Sequence, residues 1–156
     1  MKLIEILPDK QNILISLAYA SNRNFTEKKI YQKEKAYLRN EAYIALNKSI
    51  KIADKMGFKI KIFDAFRPVE AQNIMWEFNP DPKYIANPRK GSPHSRGVAI
   101  DLTLCTKDNI ELDMGTPFDS FSEKSHHDFM DFDYKILHNR SILLGIMTLS
   151  GWDFYN

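Results

Sequence analysis

Apolar and polar residues alternate strictly through Phe58-Lys59-Ile60-Lys61-Ile62, which predicts a strand with one wet face. Just before it, Leu38, Ala42, Leu46, Ile50, Ala53 and Met56 recur at steps of three and four. That spacing draws one apolar stripe along a helix predicted over Lys33–Met56, with Gly57 as its stop. Glu34, Lys35, Arg39, Glu41, Lys48, Lys51 and Asp54 form its solvated face. A second helix is expected from Pro68 to about Phe78, since proline suits a first helical turn. A third, apolar helix runs from Leu137 to Leu149, interrupted by Gly145 and ended by Gly151. Other predicted strands are Ile13–Ala20 and Trp152–Tyr155, with Met1–Leu7 as an edge strand or arm closed by Pro8. Ser21–Asn24 reads as a turn and Phe25–Tyr31 as an irregular crossing. Asn79–Pro93, holding Pro80, Pro82, Pro88 and Pro93, is a long connection of the kind that often walls a functional site.

The alternation that matters most begins at Val98. Val98, Ile100, Leu102 and Leu104 share one face of a predicted strand, and Ala99, Asp101 and Thr103 share the other. Asp101 therefore turns away from the core, toward solvent or a cleft. Gly91 and Pro93 mark a loop before this strand, and Gly97 permits a tight turn into it. If that loop folds back, His94 reaches the same point as Asp101. Imidazole nitrogen and carboxylate oxygen are both good zinc ligands. The competing reading is a chance His and Asp at a loop-strand junction, and spacing alone does not separate the two. Ile110–Met114 is a candidate hairpin partner for the strand.

Ser92, His94, Gly97, Ala99 and Asp101 make the pattern Ser-x-His-x-x-Gly-x-Ala-x-Asp, which resembles the signature of the zinc D-alanyl-D-alanine dipeptidases. Further segments match in order: Ala18-Tyr19-Ala20 with Asn24-Phe25-Thr26, Phe63-Asp64-Ala65-Phe66-Arg67-Pro68, Met114 to Asp119, Ser125-His126-His127, and Asn139-Arg140. The likeness spans nearly the whole chain. It implies an α+β fold: a central, mainly antiparallel sheet with helices packed on one side and the metal cleft on the other face. Residues 1–156 are then a single dipeptidase-like domain.

The resemblance also implies roles. His94 and Asp101 hold the zinc, one ion per chain, and the reaction is hydrolysis of D-alanyl-D-alanine to two D-alanines. Arg67, otherwise a surface ion-pair partner, stabilises the negative charge growing on the scissile carbonyl oxygen. Its permanent charge and forked donors suit that task. Asp64 either orients Arg67, meets the substrate's amino group, or is a plain turn carboxylate. Ser92 hydrogen-bonds within the site, and Tyr19 offers a hydroxyl at its mouth or packs in the core. In the family a Glu-Trp-Trp-His motif follows the segment matching Gly151–Asn156, supplying the general base and the third ligand. The sequence reaches Asn156 without it, so the expectation is a chain lacking its C-terminal end, with an incomplete zinc site and impaired or absent turnover. The alternative is a noncatalytic remnant retaining weak metal or D-Ala-peptide binding.

Composition narrows the rest. Of 156 residues, 44% are hydrophobic and 27% charged, which suits an ordinary globular domain. A net charge of +2 without a basic cluster argues against nucleic acid. No apolar run has the length of about 18 residues that spans a bilayer. Ile13–Ala20 ends like a cleavage site, but Pro8–Asn12 interrupts the apolar region, so a cytoplasmic location is expected. Cys105, the lone cysteine, reads as a small buried hydrophobe, and Trp76 as core. Glu123-x-x-His126 looks like a carboxylate–histidine pair, yet the family likeness makes His126 and His127 structural or rim residues.

Overall fold

A computed structural model describes residues 2–155. The elements run β1 (Leu3–Glu5), α1 (Pro8–Gln11), β2 (Leu14–Ile15), β3 (Tyr37–Arg39), α2 (Asn40–Lys55), β4 (Phe58–Asp64), α3 (Val69–Phe78), β5 (Asp101–Thr106) and α4 (Tyr134–Ser150). The fold is α+β, as expected. A three-stranded sheet has the order β2-β4-β5, with β4 and β5 antiparallel and β2 parallel to β4. A separate antiparallel pair joins β1 to β3.

Burial of alternate residues drives β4 into the centre. Ile60, Ile62 and Asp64 are buried, while Lys59, Lys61 and Phe63 between them are more open. Helix α2 covers this sheet with Ala42, Leu46, Ser49 and Ala53, and α4 packs against α2. Leu38, Leu46, Ile60, Ile62, Leu104 and Ile146 meet in one core. A second apolar cluster, centred on Tyr19, Met75 and Ile85, forms between α3 and the aromatic loops. Among the described residues, no helix is long and apolar enough to cross a membrane.

Several expected boundaries shift, each for a physical reason. The long helix starts at Asn40, not Lys33, because Tyr37–Arg39 pairs with β1 and sets Leu38 opposite Ile4. Leu38 satisfies the apolar stripe equally well from a strand. Ile13–Ala20 is a strand only at Leu14–Ile15 and ends in a 3-10 turn at Ala18–Ala20. Ile13, Leu17 and Tyr19 are each buried without ladder partners, so the apolar run reported burial rather than extended pairing. The central strand begins at Asp101, not Val98, since Val98 N–H closes a turn onto Pro93 O. Thr103 is buried, so β5 is not open along the whole face that carries Asp101. Ile110–Met114 does fold back, through a Cys105–Glu111 bridge and a Leu112 N–H bond to Leu104 O. The helix at Pro68 begins at Val69, with proline as its N-cap. Helix α4 runs unbroken through Gly145 and ends in left-handed backbone at Gly151. Trp152–Tyr155 is not a strand: Trp152 N–H bonds Met147 O beneath α4, and Phe154 and Tyr155 are exposed. The expected N-terminal arm is the strand β1; Met1 lies outside the described residues.

Candidate active site

The site is built on an irregularity in the sheet. β4 and β5 keep register from Phe58 opposite Thr106 to Ile62 opposite Leu102, then slip so that Asp64, rather than Phe63, faces Asp101. This β-bulge puts two carboxylates on one rung, and bulges of this kind re-aim side chains at sites. The loop from Gly91 to Gly97 folds back against the end of β4. Arg67 N–H donates to His94 O at 3.2 Å, and His94 Nδ1 lies 2.8 Å from Ala65 O. Gly97 makes this fold possible. It has a φ of +69°, and a Cβ there would come within 2.9 Å of Leu3 and 3.3 Å of the Arg39 backbone nitrogen. Its carbonyl accepts from Arg39 N–H, which ties the loop to β3.

Asp64 and Arg67 form the closed wall. Arg67 Nε and Nη2 lie 2.8 and 2.7 Å from Asp64 Oδ2. Tyr31 donates its hydroxyl to Asp64 Oδ1 at 2.7 Å, and Ala65 N–H donates to the same oxygen at 2.9 Å. Both oxygens are therefore met by protein donors, and the group is the anion of a buried pair. Burial pushes the Asp64 carboxyl up, against the opposing pull of Arg67 and His94. Burial would lower the Arg67 guanidinium, but Asp64, then Tyr19 and Asp101, hold it above its ordinary value. Arg67 is thus permanently charged. Its plane lies over the Tyr19 ring, 5.2 Å from the centroid.

His94 and Asp101 form the open rim. His94 Nε2 lies 3.4 Å from Asp101 Oδ1, and the Asp101 side chain is 33% exposed. A hydrogen bond from Nδ1 to the Ala65 carbonyl assigns the proton to that nitrogen and leaves the Nε2 lone pair free, the usual arrangement of a metal-ligating histidine. Two ligand atoms on a tetrahedral zinc ion stand about 3.3 Å apart, given bonds of about 2.0–2.2 Å. The Nε2–Oδ1 separation matches, and so does the N/O chemistry. Among the described residues, the only group of three such donors able to close on a point is Asp64, His94 and Asp101. Asp64 is already occupied by Arg67, Tyr31 and Ala65, so two donors, His94 and Asp101, are left for a further partner. Burial pulls His94 down, but the Asp101 charge outweighs it and lifts the imidazole. In Asp101 burial pushes upward, whereas His94 and Arg67 bring the carboxyl below its usual range. Arg67 Nη2 stands 3.5 Å from Asp101 Oδ2, so imidazole, carboxylate and guanidinium converge.

The remaining predicted residues lie around this centre. Tyr19 is buried, and its hydroxyl donates to Asp119 Oδ1 at 2.9 Å. Ser92 is buried in the loop, where its Oγ accepts the His94 N–H at 3.2 Å. Sequence reasoning missed three participants. Tyr31 ends the irregular crossing Phe25–Tyr31, Gln72 falls within the helix expected from Pro68 to Phe78, and Asp119 ends the matching segment that begins at Met114. Gln72 had a usable signal, since a polar residue beside Ala71 and three before Met75 falls on the apolar face of α3. Asp119 Oδ2 is buried without a hydrogen-bond partner, and its backbone is left-handed at φ +62°. Burial pushes its carboxyl up to about 6. His126 and His127 stand apart: the His126 carbonyl accepts from Arg140, and the His127 ring packs on Phe154. Cys105 is free and buried, with its thiol pushed up by burial.

An imidazole with a free nitrogen, a partly open carboxylate and a charged arginine converging on one point are the parts of a metal-dependent peptidase. The chain belongs to the D-ala-D-ala dipeptidase family, which matches it over residues 1–156. It is 43% identical over 147 residues to a D-alanyl-D-alanine dipeptidase of Escherichia coli (strain K12), covering 94% of this chain and 75% of that protein. It is 31% identical over 162 residues to a D-alanyl-D-alanine dipeptidase of Enterococcus faecium, covering 88% of this chain and 79% of the relative. A D-alanyl-D-alanine dipeptidase of Enterococcus faecalis (strain ATCC 700802 / V583) is also 31% identical, over 158 residues, covering 88% of this chain and 78% of the relative.

Proposed function

We propose that this chain is a single dipeptidase domain whose cleft hydrolyses D-alanyl-D-alanine to two D-alanines, with zinc held by His94 and Asp101. The observation that carries the reading is the meeting of His94 Nε2, Asp101 and Arg67 at one point, within a chain of this family. Bound there, zinc would supply Lewis-acid polarisation of the peptide carbonyl and acidification of water. Arg67 donates from its Nη groups to the oxygen that becomes negative as the carbonyl turns tetrahedral. Asp64 holds the guanidinium from behind, so the cation needs no reorganisation during the reaction. Ser92 shapes the turn that presents His94. The carboxyl of Asp119, bonded to the Tyr19 hydroxyl, is the acidic group that would attract the ammonium of a free dipeptide. That contact favours a short substrate with a free amino end over the interior of a long chain.

Among the described residues, two open donors meet here, against the three protein ligands that catalytic zinc ordinarily takes. This favours a second reading, weak metal and D-Ala-peptide binding without turnover. One assay separates them: incubate the purified chain with zinc and D-alanyl-D-alanine and measure free D-alanine. Release that disappears in His94→Ala is the expected result. Zinc binding by calorimetry without release, at high protein concentration, supports the binding reading instead.

A further inference from the structure

We infer that Gln72 is a positioning residue for Arg67, holding the third side of its guanidinium with a neutral acceptor and joining it to the connection that leads into the His94 loop. Gln72 is 1% exposed and sits in the first turn of α3. Arg67 Nη1 donates to Gln72 Oε1 at 3.0 Å, and Gln72 Nε2 donates to Ala86 O at 2.7 Å. The amide orientation is forced. Arginine offers only donors and the Ala86 carbonyl only accepts, so a flipped amide would lose both bonds. Asp64 controls Nε and Nη2 alone. Without Gln72, Nη1 would face a buried site with no acceptor.

The choice of an amide has a chemical reason. Asp64 and Asp101 already place two carboxylates against Arg67. A third anion would further offset the charge meant for the substrate oxygen, and it would set a lone pair against the Ala86 carbonyl. Glutamine fixes direction without adding charge. Ala86 lies within the long proline-rich connection, next to the buried Ile85, so the same amide also anchors that wall against α3.

This inference rests on the reading of Arg67 as the oxyanion donor, and its test separates the two. In the 15N-labelled full chain, Arg67 side-chain signals are assigned by their loss in Arg67→Lys. In Gln72→Met, which keeps the volume, the Nη1 protons should exchange with water roughly 10-fold faster. The Nε proton, held by Asp64, should stay within about twofold. With D-alanyl-D-alanine, Gln72→Met should lower kcat about 10-fold and leave KM within about twofold, while Gln72→Glu should lower kcat about 100-fold. Rescue of kcat by a shorter amide, Gln72→Asn, is not expected, because it cannot span both partners. Unchanged Nη1 exchange in Gln72→Met overturns the inference, as does unchanged kcat in that variant. If the parent chain shows no turnover, the dipeptidase reading fails while the exchange experiment still decides whether Gln72 holds Arg67.

Discussion

Asp64 and Asp101 are the same residue type on the same rung of one sheet, yet they have opposite surroundings. Asp64 is fully buried, with its two oxygens covered by Arg67, Tyr31 and Ala65. Asp101 is a third exposed and faces only His94 and the outer edge of Arg67. The difference lies in which lone pairs remain free. A carboxylate whose acceptors are all met by protein donors is structural, whatever its distance from a cleft. One with acceptors left over can take a cation. The three-residue donor group therefore divides into one anchor, Asp64, and two donors with free acceptor positions, His94 and Asp101.

The largest effect should come from breaking this pair of roles. Asp64→Ala leaves the buried Arg67 without its nearer, fully buried counter-ion and should destabilise the fold by about 3–5 kcal/mol in urea denaturation. Asp101→Ala, by contrast, should change stability by less than about 1 kcal/mol, because the group is partly exposed. It should instead weaken zinc binding by at least roughly 10–100-fold in calorimetry. Equal stability losses in the two variants would erase the distinction.

Asp119 lies between these extremes, with one oxygen bonded and one bare. Its carboxyl is pushed up to about 6, so the folded chain holds this proton more tightly than the unfolded chain does. The associated stability is full below about pH 4 and is lost as pH rises to about 6, a difference of about 2–3 kcal/mol. Asp119→Asn keeps an acceptor for Tyr19, so it should flatten that decline and leave the protein more stable at pH 7. A slope of the same size in the variant would assign the effect elsewhere. The smallest change is Tyr31→Phe, which removes one of the donors to Asp64 and should cost about 1.5 kcal/mol. A loss below a few tenths would mean that Arg67 and Ala65 suffice alone.

Local pattern reached much of this architecture. The strict alternation of Phe58–Ile62 marked β4, and the stripe from Ala42 to Ala53 marked α2, because both periods express burial on one side. The stripe failed at Leu38, and the apolar run failed at Ile13–Ala20, since burial does not reveal which backbone partner is near. Trp152–Tyr155 failed for the same reason. Of the site, the motif residues His94, Asp101, Arg67 and Asp64 were visible as residue types at suggestive positions. Tyr31 and Asp119 were not, because their partners lie 33 and 100 residues away in the chain, and Gln72 showed only as a polar residue on the apolar face of α3.

The amino-acid sequence by itself determined the main periodic elements and the chemical character of the cleft, an imidazole, carboxylates and a guanidinium beside turn-forming glycines. Which carboxylate serves as anchor and which stays open was settled only in three dimensions. A one-residue slip between β4 and β5 sets Asp64 opposite Asp101, and Tyr31, Ala65 and Arg67 then supply donors to both oxygens of Asp64. Hydrogen-bond satisfaction depends on neighbours distant in sequence, and no local pattern records them.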